Sequence, residues 1–406
     1  MKIAHLTTTL EGGAANAVIR INHALNESGV HSEIFARKIP HRKLESTENI
    51  IGLNRLQKFQ SSALTALQRT VIQKSTDLMT PMSLDFFHDE FEVLSEFDII
   101  HLHSTYNFVS LKSYSLFSKL EKPIFITLHD QRFLTGGCHY SSSCNEFERN
   151  CSNCPKVGNI FQPLVKKSFK NETQFLSGKN LTLISPSNWL KNLVNKSAKF
   201  SENETHVIRN PIPSKYFGAP SRKEIEVGAF SKKKTIGFIS ANLNNPYKGL
   251  HILIEALNVL ASNSPNSTFD LLLVGNGDVP MSSGNFGIRR VISGSDEEMI
   301  STINEMDLLV VPSIEDNSPS VIGEAVAARV PVIGSRVGGI TELLAEMDLP
   351  LFQPGDSLDL ERVLSLFFQG RMTFSVEKVQ RDAIRLFGSD EFSRKQIELY
   401  GKKSRI

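Results

Sequence analysis

The stretch PSIEDNSPSVIGEAVAARVPVIGSRVGG, residues 312–339, decides the architecture. It starts where the apolar run DLLVVPS (307–313) ends, a run that reads as a buried strand. An acidic loop with Glu315 and Asp316 comes next. Ser318-Pro319-Ser320 then opens a helix over 320–330, since proline suits the first helical turn. The run PVIGSRVGG (331–339) is a second strand, closed by the pair Gly338-Gly339. Strand, helix and strand in this order build a parallel sheet with the helix as crossover. A helix that begins beyond a strand end presents unpaired amides there, and such amides hold phosphates. Glu324, about one turn in, is placed to accept hydrogen bonds from ribose hydroxyls.

The same rhythm runs upstream. KTIGFISA (234–241) and FDLLLVGNG (269–277) are strands, and GLHILIEALNVLAS (249–262) is an amphipathic helix. DEEMISTINEM (296–306) is a helix with Asp296 as its N-cap. In the first half, KIAHLTTTL (2–10), HSEIFAR (31–37), FDIIHLHS (97–104), PIFITLHD (123–130), LTLISPS (181–187) and THVIRNPI (205–212) read as strands. AANAVIRINHALNES (14–28) is a helix stopped by Gly29, and 53–74 is a second, carrying Arg55, Lys58, Arg69 and Lys74. Pro213, Gly218 and Pro220 break the rhythm, so 213–233 is the expected linker. The chain has 406 residues, above the ~250–300 at which single cores stop growing. The expectation is therefore an α/β protein with two Rossmann-like domains, 1–212 and 234–388. Residues 389–406 form a final helix that crosses back to the first.

Bulk properties exclude several classes. A net charge of +2 gives no argument for nucleic acid. The N-terminus runs straight into a strand pattern without a separate apolar segment, and no run reaches ~18 apolar residues. A cytoplasmic protein without a spanning helix is expected.

In open α/β sheets, ligands sit outside the carboxyl ends of the strands. Gly12-Gly13 follows the first strand, where glycines allow either a tight turn or close approach of a ligand. His129-Asp130 ends FITLHD, where an imidazole can donate to a sugar hydroxyl or to developing charge. His101 and His103 share a face and read as core residues or supports of a neighbour. Lys248, just before a helix, has the charge and position to pair with a diphosphate.

All four cysteines lie within seventeen residues, as Cys138-x5-Cys144-x6-Cys151-x2-Cys154. They supply enough thiols for one structural Zn2+, with His139 as a spare ligand. Free thiols and disulfides remain open. Between Lys156 and Lys199 there are eight lysines against one acid, Glu172, and the tail adds Lys402, Lys403 and Arg405. Such a run is a solvated face or a peripheral contact with anionic lipid, worth roughly 1 kcal/mol per basic residue.

At these residues the chain resembles glycosyltransferase family 4, whose members have the GT-B fold. The likeness rests on Gly12-Gly13, DIIHLH, LHD, SPSNWL (185–190) and VIRNPI (207–212). In the second half it rests on NPYKG (245–249), LLLVGNGD (271–278), DLLVVPS and the 312–339 block. LHDQRFLTGGCHYSSSCNEFERNCSNCP (128–155) resembles a narrower branch from bacterial exopolysaccharide, O-antigen and colanic-acid gene clusters. The resemblance implies transfer of a sugar, with retention, from a UDP- or GDP-linked donor to a glycan or lipid-linked oligosaccharide, at a cleft between the domains. It implies no cofactor for catalysis. Gly12 and Gly13 would lie near the diphosphate and acceptor, and His129 at the transferred sugar. Lys248 would hold the diphosphate. Asp316 and Glu324 take the acidic positions of the family's E-x7-E motif, at the donor sugar and the ribose. Gly275, Asn317, Ser318 and Ser320 would line the nucleotide site. Two departures stand out: Asp316 replaces a glutamate, with Glu315 one residue early. Ala241, Asn242, Leu243 and Asn244 also fill the stretch where the family places a base. Lys248 and helix amides then carry more of the phosphate charge, or Arg289 or Arg336 substitutes. The rival functions are a GT-B nucleotide-sugar 2-epimerase and a sugar-nucleotide-binding partner without catalysis.

Overall fold

The computed structural model describes all residues except 39–43, 73–77, 118, 177–180, 219–232, 265–267, 280, 293, 373, 405–406 and the side chain of Val376. Lys74, Lys179, Arg405 and most of the expected linker lie outside the described residues. Two compact units divide the chain: Met1–Pro211 with Phe392–Ile406, and Ile212–Glu391.

The first unit holds a seven-stranded parallel sheet. Its strands are β1 (Lys2–Thr9), β2 (His31–Lys38), β3 (Glu48–Ile50), β4 (Ile99–Leu102), β5 (Ile124–Thr127), β6 (Leu181–Ser185) and β7 (Thr205–Val207). Their order is β3-β2-β1-β4-β5-β6-β7. The order reverses between β1 and β4, so the carboxyl ends of these two strands flank a ready-made crevice. β1 is buried over six consecutive residues, as a central parallel strand covered on both faces must be. Register places His5 beside His101, and His101 beside Phe125. Phe392, Leu399 and Tyr400, from the last helix, pack against Ile3, Ile21 and Phe125. Each such fully buried side chain stabilises the unit by about 1.5–3 kcal/mol.

The second unit repeats the plan with six parallel strands: β8 (Lys234–Asn242), β9 (Phe269–Asn276), β10 (Gly287–Val291), β11 (Leu308–Val311), β12 (Val332–Ser335) and β13 (Leu351–Phe352). The order is β10-β9-β8-β11-β12-β13, and the reversal falls between β8 and β11. Residues 242–248 and 312–317 leave the sheet at this point.

Local departures from the sequence expectations have plain causes. β7 ends at Val207, with Ile208 N still donating to Ser185 O at 3.0 Å, and Pro211 has no N–H with which to carry the ladder on to 212. Ser295, not Asp296, caps the helix Asp296–Ile303, accepting from Glu298 N at 3.2 Å. Asp296 instead accepts from the Tyr216 hydroxyl at 2.9 Å. Gly338 does not merely close a strand; with Gly339 it starts the helix Gly338–Glu346.

Candidate functional site

In the second unit the reversal point gathers the residues singled out in the 312–339 block. Asn245 caps a short 3-10 turn, Pro246–Lys248, by accepting from Tyr247 N. Gly249 follows in the left-handed region, at φ 74°. A Cβ there would stand 1.9 Å from Pro312 O, so only glycine lets the Lys248 turn press against the end of β11. The Tyr247 carbonyl accepts from Ile314 N at 2.8 Å, tying the two loops together. Lys248 Nζ then meets Asp316 Oδ2 at 2.6 Å. The same oxygen accepts from the Ser313 hydroxyl at 3.1 Å, and Asp316 Oδ1 accepts from Asn317 N at 3.0 Å. Asp316 is thus held on three sides.

The helix Ser320–Ala327 starts three residues beyond Asn317. Pro319 is its N-cap, and no side chain caps it. Glu324 is buried on this helix. Gly338 backs the loop from below: at φ 49° it sits where a Cβ would be 1.9 Å from Asp316 O. Gly339 N donates to that carbonyl at 3.2 Å. Lys248, Asp316, Asn317, Ser318, Ser320 and Glu324 therefore share one end of one sheet. Gly275 has a packing role, because a Cβ would lie 1.7 Å from Ser240 O where β8 and β9 converge. Of the two substitute bases, Arg289 is exposed and ion-paired to Glu305. Arg336 N donates to Phe352 O at the edge of the sheet.

In the first unit, His129 does not act alone. His5 Nδ1 lies 2.9 Å from His103 Nε2, and His103 Nδ1 lies 2.9 Å from His129 Nε2. The cause is register: His5 and His101 are neighbours on β1 and β4, and His103 and His129 stand one and two residues past the ends of β4 and β5. His101 turns away to the Tyr400 hydroxyl and to Thr127. Burial holds His5 at about 3 and His129 at about 4, and pushes His103 well below the usual range, so the chain of rings is neutral.

His5, His101 and His103 nitrogens come within 4.8 Å of one another, a spacing that invites a metal. The 2.9 Å contact of His5 with His103 argues for a hydrogen bond instead. Two nitrogens on one tetrahedral zinc, with 2.0–2.1 Å bonds, stand about 3.3 Å apart. Three neutral rings carry three ring hydrogens, two of which fill the two contacts. His5 Nε2 has no partner and is buried. An orphaned buried N–H is rarer than a bare acceptor. The third hydrogen therefore belongs on His129 Nδ1, which makes His129 a donor and not a base.

His129, Asp130, Tyr106 and Arg132 line a cavity of about 20 Å³, room for about one water. Asp130 accepts from His139 at 2.7 Å. Glu172, at the same cavity, is chelated by Arg132 (2.8 and 3.0 Å) and Lys199 (2.9 Å). Burial alone would raise the Glu172 carboxyl; the two cations overcome it and hold it at about 2. Arg132 and Lys199 carry no local sequence signal of their own. The available signal was Glu172, one acid among eight lysines, which is where a buried pair is to be sought. The run is accordingly not all surface, since Lys156 and Lys199 are 7% and 2% exposed. Gly12 is the N-cap of the helix Gly13–Glu27 at φ 93°, with open space at its Cβ position.

Cys138, Cys151 and Cys154 are buried and Cys144 half-buried, with no disulfide among them. Cys138 and Cys154 share a hydrogen bond that pushes Cys138 up and holds Cys154 at about 7. Cys151 Sγ accepts from Gly136 N at 3.3 Å. Among the described residues, the three-ligand group within 4.8 Å is the histidine trio and not the thiols. No helix of the described residues is long and apolar enough to cross a membrane.

Residues 233–367, a third of the chain, match the family described as "Glycosyl transferases group 1". The whole chain superposes on sucrose-phosphate synthase from Thermosynechococcus elongatus with TM-score 0.66 and 17% identity, covering 99% of this chain and 98% of that one. The fold is GT-B. A second GT-B structure, Anabaena Alr3699/HepE in complex with UDP-glucose, matches with TM-score 0.65 and 16% identity, covering 99% and 100%. In sequence, the chain is 25% identical over 289 residues to WcaC of Escherichia coli (strain K12), a glycosyl transferase named for colanic acid biosynthesis. That alignment covers 66% of this chain and 65% of the relative's length.

Proposed function

We propose that this GT-B protein is a retaining glycosyltransferase that moves a sugar from a UDP- or GDP-linked donor to a glycan or lipid-linked oligosaccharide in bacterial surface polysaccharide synthesis. The observation that carries this is the 2.6 Å pairing of Lys248 with Asp316 beside the uncapped start of the helix Ser320–Ala327. A cation and helix amides at one sheet end are what a departing nucleoside diphosphate needs. Asp316 holds the ammonium until the diphosphate competes for it. Glu324, buried one turn in, takes the ribose hydroxyls. The likeness to a UDP-glucose complex and to WcaC supports the donor and the polysaccharide setting.

In the reaction the bond from the anomeric carbon to the diphosphate breaks first. The acceptor oxygen then bonds on the same face, and its proton passes to the departing diphosphate. His129 is the first unit's own candidate donor to a sugar hydroxyl. Lys248 and the amides stabilise the leaving charge without a metal.

Incubation of the protein with nucleotide-sugars and polysaccharide-repeat acceptors, with anomeric proton coupling of the product read by NMR, tests this. Retained configuration is expected. An inverted product, or turnover of the donor sugar to its 2-epimer without acceptor, overturns it.

A further inference from the structure

The helix Arg55–Val71, RLQKFQSSALTALQRTV, is inside out. Its capping box, Asn54 with Gln57, fixes its start, and its buried residues are Gln68 and Val71. The side facing the protein is mostly polar: Gln68 donates to the Met82 carbonyl, and Ser61 accepts from Arg37 at 2.8 Å. Apart from the buried Val71 and the half-buried Leu64, the large apolar side chains sit on the outside. Leu56, Phe59 and Leu67 are 64%, 71% and 50% exposed. With Ala63 they are spaced i, i+3, i+7 and i+11, which is one stripe of a helix.

A water-facing helix should carry its polar residues outward, so this stripe calls for a covering surface. Its chemistry is set by the third side of the helix. Arg55, Lys58 and Arg69 lie next to the stripe, and 55–71 contains no acidic residue. Ile72, just past the helix, bridges Val157, and Ile160, three residues on, is 82% exposed. Exposed Lys166, Lys167 and Lys170 follow on the helix Gln162–Leu176. An apolar stripe bordered by bases and free of acids is the composition of a helix lying in an anionic lipid interface.

We propose that Arg55–Val71 is a membrane-surface helix that seats the first unit on anionic lipid through Leu56, Phe59 and Leu67. This centres the contact on the helix Arg55–Val71 and not on the 156–199 lysine run as a whole, two of whose members are buried; the exposed Lys166, Lys167 and Lys170 of that run add positive charge to the same unit. It holds independently of whether the protein transfers sugar.

Co-sedimentation of the full chain with phosphatidylglycerol–phosphatidylethanolamine vesicles tests it, with phosphatidylcholine vesicles as comparison. Binding is expected on the anionic vesicles at low salt, and weaker at high salt. Phe59→Ser with Leu67→Ser, and separately Arg55→Gln with Lys58→Gln and Arg69→Gln, should each weaken it about tenfold or more. Thermal unfolding of both variants should match the parent, because the changed residues are exposed. If a variant does not fold, Phe59→Trp replaces it, and its emission should shift blue and be quenched by brominated lipid. Parent protein that ignores anionic vesicles, or variants that bind like the parent, overturn the proposal. So does a lipid-free dimer of the parent that Phe59→Ser with Leu67→Ser dissolves, since a second copy would then cover the stripe.

Discussion

The ammonium of Lys248 and the carboxylate of Asp316 lie 2.6 Å apart, on loops that leave neighbouring strands of one sheet. The pair is partly exposed, so a more highly charged anion can replace the carboxylate as the partner of Lys248. Lys248→Ala removes a charge-assisted contact to phosphate, worth about 1.5–3 kcal/mol. Calorimetry should therefore show UDP or GDP binding weakened by roughly ten- to a hundredfold. Asp316→Asn should bind the bare nucleotide at least as well as the parent, because the ammonium loses a competing carboxylate. Unchanged nucleotide affinity in Lys248→Ala would remove the lysine from the site.

Gly338 tests the support under that pair. A Cβ at this position would stand 1.9 Å from Asp316 O, and φ is 49°. Gly338→Ala forces the Asp316 loop off its seat and strains the backbone, at about 1–3 kcal/mol. The expected result is a lower melting temperature together with weaker nucleotide binding. Gly355→Ala serves as control: its φ is 76°, but its Cβ position is open. It should lose stability and keep affinity. Equal loss of affinity in both variants would mean that Gly338 acts only through stability.

The buried rings predict the acid limit. His5 titrates at about 3 and His129 at about 4 in the folded chain, both lowered by burial from 6.5. The unfolded chain takes protons first as pH falls. The stability carried by the neutral rings is complete above about pH 6.5 and is lost between there and their folded values. Each contributes a slope of about 1.4 kcal/mol per pH unit in that window. Urea unfolding measured from pH 7.5 down to about pH 4 should show this loss, with a shallower slope in His5→Leu. Flat stability over that range would contradict the neutral-ring assignment.

How far the sequence anticipated this protein depends on how local each cause is. The 312–339 block was legible because strand, loop and helix follow one another within it. The sheet order was not, because β1 pairs with β4 across some ninety residues, and only the pairing shows that His5, His103 and His129 line up. Lys199 shows the same limit. It reads as one more surface lysine, yet it reaches Glu172 at 2.9 Å across another helix. A helix within 53–74 is legible in the sequence, but which side of Arg55–Val71 faces the protein is a tertiary fact that the sequence does not carry.

The Arg132–Glu172–Lys199 cluster should govern stability more than its polarity suggests. All three side chains are buried. Glu172→Gln leaves two cations without their shared counter-charge, and breaking a buried pair this way costs about 3–5 kcal/mol. A triple change to apolar residues of similar size should be far milder, because no orphaned charge remains. Chemical denaturation of the two variants separates these outcomes. If Glu172→Gln unfolds like the parent, water reaches the cluster and the burial argument is wrong.

The four cysteines offer a last test. Thiols at 138, 144, 151 and 154 on one segment are a donor set that zinc takes, and three of them are already buried. Cys138 and Cys154 are in hydrogen-bond contact, and the others must close in by local rearrangement to reach 2.3 Å bonds. We expect about one zinc per chain in protein purified without chelator, absent in Cys151→Ser, with a lower melting temperature after chelation of the parent. Cys144 is the most exposed of the four, so Cys144→Ser should weaken zinc retention less than Cys151→Ser. Metal-free protein with an unchanged melting temperature in chelator would leave the four as buried thiols, with Cys138 and Cys154 as a hydrogen-bonded pair.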